Sequence, residues 1–275
     1  MTKKTKDIEA LLKWAYCEEL PKADANMGSG GGIASGWSSV ESYAELLTVI
    51  DDNRYGVLPA LSIDPGEPHA DAVAVHIAVS ELDRLDLDFP DDWSPMRELN
   101  DLGAHGLMAI RSALDGLTIV DADGRRRLRR KPSDLVRRLA ILGVVPDGMG
   151  EPPALKMLTN TAGQPRWFRR HVEQDVDCFG APVERSFEVE DGWDFSRKRA
   201  KRGAYPKQYL DPDPVPVLGE RGEYDILRAC LLVLCDELNG KMVDHTVDPC
   251  SWDVSPWDQE NACALRSGRR VLKAG

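Results

Sequence analysis

No stretch of this 275-residue chain is apolar for long enough to cross a bilayer. The run Cys230 to Cys235 is among its most apolar, whereas a membrane helix needs about twenty such residues. The basic start Met1 to Asp7 is followed by no apolar run of signal-peptide length, so no secretory leader is expected. The six cysteines (Cys17, Cys178, Cys230, Cys235, Cys250, Cys263) form no tight pair and no C-x-x-C, a pattern of reduced, mostly buried thiols. Gly28 to Gly36 lacks the Gly-Lys-Ser/Thr ending of a phosphate-binding loop and has no strand before it. There is no Gly-x-Ser-x-Gly elbow, and His69, His76, His105, His171 and His245 stand alone. These absences predict a cytoplasmic, non-enzymatic protein with no cofactor and no membrane partner.

What the chain does have is an uneven charge. The total is −11, yet residues 125–207 carry 19 Lys/Arg against 11 Asp/Glu. The flanks are acidic, 9 basic against 23 acidic residues in 1–124 and 7 against 12 in 208–275. Cations gathered this way can meet phosphate, or their own acidic flanks. The blocks are Arg125, Arg126, Arg127, Arg129, Arg130 and Lys131; Arg137 and Arg138; Arg166, Arg169 and Arg170; and Arg197, Lys198, Arg199, Lys201 and Arg202. Trp167, Phe168, Tyr205 and Tyr209 are interleaved with them, and such aromatics serve as core anchors more often than as stacking platforms.

Periodicity divides the chain into an acidic helical region (1–117), a basic α/β region with a hairpin (118–210), and a connector with a C-terminal helix (211–275). These parts can equally form one composite α+β domain. Helical spacing is read over Asp7 to Leu20, after Ser38 (a capping box with Glu41), over His69 to Leu85 and over Ser94 to Leu117. Thr118 to Val120 and Arg125 to Arg130 flank the turn signal Asp123-Gly124, and a helix starts at Ser133 or Asp134 and ends at Gly143. In 171–190, Val172, Val176, Val183, Phe187 and Val189 alternate with acidic residues, which predicts a hairpin with one apolar and one acidic face. Asp211 to Pro216 reads as a stiff connector. Leu227, Cys230, Leu231, Leu234 and Leu238 then form the stripe of a buried helix.

Five segments together resemble an uncharacterised bacterial protein family associated with prophage-like gene neighbourhoods. They are Asp7 to Ala15 with Glu19-Leu20-Pro21; Leu135 to Gly143 with Pro146-Asp147; Gly163 to Arg170; Tyr205-Pro206 with Tyr209 to Pro214; and Tyr224 to His245, closing near Pro256-Trp257. The resemblance implies mobile-element biology but no activity, and it transfers no functional residue.

Three functions are therefore weighed. The first is a phage- or prophage-type accessory or regulatory protein that engages DNA, or a DNA-bound assembly, through the sixteen cations named above. The second is a structural or protein-interaction subunit that docks an acidic partner. The third is a metal-dependent nuclease using Glu173, Asp175, Asp177, Glu184, Glu188 and Glu190. A helix-turn-helix around Asp134 to Leu142 is poorly supported. A zinc site from His245, Cys250 and Cys263 with Cys235 lacks the usual spacing.

Overall fold

The computed structural model describes residues 3–24, 55, 57, 66–85, 89–120, 122, 124, 126–176, 178 and 181–257. In chain order the regular elements are β1 (Lys4–Lys6), α1 (Ile8–Trp14), α2 (Ala70–Glu81), α3 (Gly103–Leu117), β2 (Thr118–Val120), β3 (Arg126–Leu128), α4 (Pro132–Leu142), β4 (Ala154–Met157), β5 (Trp167–Val176), β6 (Pro182–Val189), β7 (Trp193–Asp194), β8 (Arg199–Ala200), β9 (Tyr205–Pro206), β10 (Gln208–Asp211), α5 (Val215–Leu238) and β11 (His245–Val247). The protein is α+β. It divides into two compact units, one made of Met1–Pro95, Ala113–Met149 and Val217–Gly275, the other of Met96–Ser112 and Gly150–Pro216. The expected Ser38 helix and the Gly28 to Gly32 loop lie outside the described residues.

The first unit holds the main core. Asp7 caps α1, its carboxylate accepting the Ala10 N–H at 2.8 Å, and the helix buries Ile8, Leu11 and Leu12. Past Trp14 the helix widens into a π turn over Ala15–Glu19, then a 3-10 turn over Leu20–Asp24 that contains Pro21. The stripe expected in α5 is present: Leu227 is 2% exposed, and Cys230, Leu231, Leu234 and Leu238 are fully buried. α1, α2, α4 and α5 contribute to one apolar cluster. α5 approaches its neighbours closely at Gly222, where a Cβ would lie 2.3 Å from Leu117 Cδ1. Pro132 opens α4, where its missing N–H costs nothing, and Gly143 closes it in the left-handed conformation (φ +63°). β11 pairs in parallel with β1, tying two distant parts of the chain together.

Two expected elements have different limits. The helix read over Ser94 to Leu117 is instead a 3-10 turn, Arg97–Leu102, followed by α3. Gly103 (φ +53°) makes the break, and a Cβ at Gly106 would fall 2.0 Å from the Leu99 carbonyl oxygen. The connector Asp211 to Pro216 shrinks to three residues, because Asp211 ends β10 and α5 begins at Val215, whose N–H the Asp213 carboxylate accepts.

A half-buried histidine makes the first unit sensitive to acid. The His76 imidazole lies between Tyr16, whose hydroxyl is 3.4 Å from Nδ1, and Tyr55. Burial and the nearby Arg137 guanidinium push its pKa down to about 4. In the unfolded chain it titrates near 6.5. Between pH 6.5 and 4 the unfolded state therefore binds a proton that the native state does not, and stability falls as pH falls through this window. Denaturant melts of the protein and of His76→Gln across pH 7.5 to 4.5 check this. The variant should lose less stability on acidification than the parent.

The second unit is poor in core. Its buried apolar residues among those described are Met96, Leu99, Ala109 and Phe168. The expected hairpin exists as β5–β6, but its expected faces do not. Five residues separate the two strands, so the register pairs His171 with Phe187, Val172 with Ser186 and Asp175 with Val183. This parity puts Val172 and Val176 on one face and Val183, Phe187 and Val189 on the other, where a linker of even length would have aligned them. The carboxylates are split in the same way, Glu173 and Asp175 against Glu184 and Glu188. Val172, Val176, Val183 and Phe187 are all exposed, so neither face is a core face. Cross-strand contacts hold the hairpin instead: Arg185 with Asp175, Gln174 with Glu184, and His171 stacked on Phe187.

Candidate functional site

The second unit contains a pocket of about 280 Å³ lined by Asn160, Gln164, Pro165, Arg166, Trp167, Glu190, Asp191, Trp193 and Phe195. One wall is a tight loop. Asn160 Oδ1 accepts the N–H groups of Ala162 and Gln164, and Gly163 supplies the positive φ (+75°) that the turn needs. The opposite wall is aromatic. Trp167 of β5 and Trp193 of β7 stack with ring centroids 6.0 Å apart and planes inclined by 29°. Phe195, on the turn between β7 and β8, is 85% exposed. Asp194 shapes that turn by accepting the N–H groups of Ser196 and Arg197 at 3.0 Å.

Gly192 allows the two strands to meet. A Cβ there would lie 2.8 Å from the Trp167 carbonyl carbon and 2.9 Å from Ala204 Cβ. Backbone cannot yield as a flexible side chain can. Gly192→Ala should therefore disturb the Trp167–Trp193 stack and destabilise the second unit by about 1–3 kcal/mol. A shifted tryptophan emission and an earlier melting transition would register this.

The carboxylates in the pocket are already neutralised. Arg166 forms a two-pronged pair with Glu190, and Arg169 does the same with Asp191, which also has Lys201 and His171 near it. The Arg169 guanidinium is the main cause holding the Asp191 carboxyl far below the usual carboxylate range. Lys207 and Tyr205 bind Glu188, and Lys207 also sits over the Phe168 ring, 4.5 Å from its centroid. Much of the basic density in this unit is thus spent on acids of the same segment. The sequence had suggested the acidic N-terminal helices as the internal partner.

The sixteen predicted cations separate by unit and by environment. In the first unit, Arg129 donates to the Gly116 and Asp115 carbonyls at the end of α3, and Arg130 pairs with Glu223 at 2.8 Å. Arg137 turns toward Ser80 and Asp134, with its Nε buried and without a hydrogen-bond partner. Arg126, Arg127, Lys131 and Arg138 are exposed. Arg126, Arg127 and Lys131, with Arg84, line a cleft of about 350 Å³. Among the described residues its one carboxylate, Asp83, is committed to the Ser133 N–H and hydroxyl at the start of α4. Arg125 lies outside the described residues. In the second unit, Arg166, Arg169 and Lys201 are paired as above, and Arg197 approaches Asp194 at 3.9 Å. Arg170, Lys198, Arg199 and Arg202 are exposed, the last three on or beside the turn that carries Phe195.

The other sequence candidates do not assemble among the described residues. β2 and β3, not a helix, precede α4, so no helix-turn-helix forms there. Of the hairpin carboxylates, Glu173 and Asp175 are divided by the register from Glu184 and Glu188 and do not converge with them, while Asp177, like Cys263 of the zinc candidate, lies outside the described residues. Cys230 and Cys235 are buried thiols whose pKa values burial pushes up to about 12 and about 11, and Cys235 Sγ meets the Asp248 carbonyl oxygen. His245 is not among thiols; its ring meets Asp71. Phe195 and Trp193 were missed by the sequence reading. The available signal was two aromatics flanking Asp194 just before Arg197-Lys198-Arg199.

No protein-family model matches this chain, and neither curated proteins nor solved structures give a match. The functional reading therefore rests on geometry and on the chemistry of the side chains.

Proposed function

We propose that the protein is a non-enzymatic nucleic-acid-binding accessory protein whose main contact is a single strand held at the second unit's aromatic pocket. The observation that carries this reading is Phe195, 85% exposed in the same pocket as the Trp167–Trp193 stack and on the turn that leads into the exposed Lys198 and Arg199. A base stacked on an exposed aromatic contributes about 1–3 kcal/mol. Guanidinium groups beside it match phosphate oxygens. A duplex hides its base faces, so the geometry favours single strands over duplex. The cleft at Arg126 and Lys131 in the first unit offers a second phosphate contact. A phage or prophage setting with a regulatory role agrees with the sequence resemblance.

The net charge of −11 sets a repulsive background, so binding is local and salt-sensitive. Fluorescence anisotropy with labelled random-sequence oligonucleotides, single-stranded and duplex, at two salt concentrations tests the proposal. Single strands should bind more tightly, with a log–log salt slope of about −0.7 per phosphate neutralised. Equal absence of binding to both at low salt would sink the reading. A second reading, a subunit that docks an acidic protein partner, is favoured by the exposed cations Arg126, Lys131, Arg138 and Arg170. It takes precedence if neither nucleic acid binds.

A further inference from the structure

We propose that His69, Asp71 and His245 form a binding site for a divalent transition-metal ion of the Zn²⁺ class. The three residues come from the start of α2 and from β11, and one ligand atom from each lies within 4.8 Å of the other two. Asp71 is 1% exposed, and the His245 side chain 8%. Two imidazoles and one carboxylate suit Zn²⁺ or Co²⁺ rather than the all-oxygen preference of Mg²⁺ or Ca²⁺.

The distances bracket what such an ion requires. Asp71 Oδ2 is 2.8 Å from His245 Nδ1 and 4.0 Å from His69 Nδ1. Ligand atoms about 2.0–2.1 Å from a tetrahedral ion stand about 3.3 Å apart, so the two pairs with Asp71 close by sub-ångström adjustments, and the two imidazoles, within 4.8 Å of each other, close by rotation of the part-exposed His69 ring. The His69 Nδ1 accepts the Asp71 N–H at 3.0 Å and lies 4.0 Å from Asp71 Oδ2, so the ring must turn its lone pair from the backbone to the ion; its Nε2 already faces the Asp244 carboxylate at 3.2 Å. A carboxylate behind a histidine is the usual outer support of a metal-ligating imidazole. Trp14 packs against both rings, at 5.5 Å from His69 and 4.7 Å from His245. One third of the His69 side chain is open to solvent, which gives the ion a way in and a water the fourth position.

Without an ion the cluster is closed by hydrogen bonds. Asp71 accepts the N–H groups of Val243, Asp244 and His245 and the His245 ring. The ion replaces only the last of these. The His245 proton leaves Nδ1 and a proton is taken up at Nε2, so the ring stays neutral, and the two charges of the ion are offset in part by the Asp71 carboxylate and by Asp244 beside His69. The backbone donors remain on the carboxylate, and the Asp71 N–H gives up its bond to His69. The ion thus clasps α2 to β11.

The experiment uses the full chain, stripped with chelator and titrated with Co²⁺ alone. One ion per chain, visible absorption of a tetrahedral Co²⁺ centre, and a raised melting temperature are expected. His69→Ala should weaken binding by more than about a hundredfold and abolish the rise in melting temperature that Co²⁺ gives the parent, beyond the small metal-free loss expected from removing the acceptor of the Asp71 N–H. Asp244→Ala, a positioning change on an exposed side chain, should weaken it by about 10–100-fold. Should His69→Ala fail to fold, His69→Gln gives the same comparison. Absence of stoichiometric Co²⁺ binding overturns the proposal, and so does unchanged binding in the His69 variant.

Discussion

Replacing Leu231 by Ala should lower the stability of the first unit by about 2–5 kcal/mol, the largest effect expected of any single change described. Leu231 is fully buried in α5, within a stripe whose other members are also closed to solvent. Truncation removes its transfer free energy and leaves a cavity that four packed helices cannot fill by relaxing. For a chain of this size each kcal/mol moves the thermal midpoint by roughly 2–4 °C. Thermal and denaturant melts read this directly. An unchanged midpoint would mean that α5 is not part of the core.

The second large effect is on binding. Phe195→Ala should leave the fold intact, because the ring is 85% exposed, and weaken single-strand binding by about five- to a hundredfold if one base stacks on it. Replacing Lys198, Arg199 and Arg202 together by Ala should instead flatten the salt dependence and weaken all sequences alike. The two variants separate stacking from phosphate contact. Arg129 and Arg130 are poor choices for such a test, since one binds the carbonyls ending α3 and the other pairs with Glu223. Their loss would perturb the fold. Anisotropy titrations of each variant beside its melting curve distinguish the cases.

How much of this was legible in the sequence follows from what is local. The α5 stripe, the pairing of β2 with β3 and the Gly143 stop each depend on residues close together in the chain, and all are present. The faces of β5–β6 depend on loop parity, which alternation within either strand cannot reveal; a single residue of linker moves every side chain to the other face. The fate of the cations depends on tertiary neighbours. Arg166 and Arg169 find Glu190 and Asp191 across the sheet, while Arg126 and Lys131 of similar sequence context face a cleft. The cluster of His69, Asp71 and His245 joins positions about 174 residues apart, so no spacing rule connects them.

The proposed contact is a single strand lying against Trp167, Trp193 and Phe195. Photo-crosslinking of a random-sequence single-stranded oligonucleotide to the full protein, followed by mapping of the modified peptides, tests it most directly. The account predicts crosslinks within residues 160–202, centred on the turn between β7 and β8 and lost on excess unlabelled single strand. Crosslinks confined to other segments, or none above a duplex control, would contradict it.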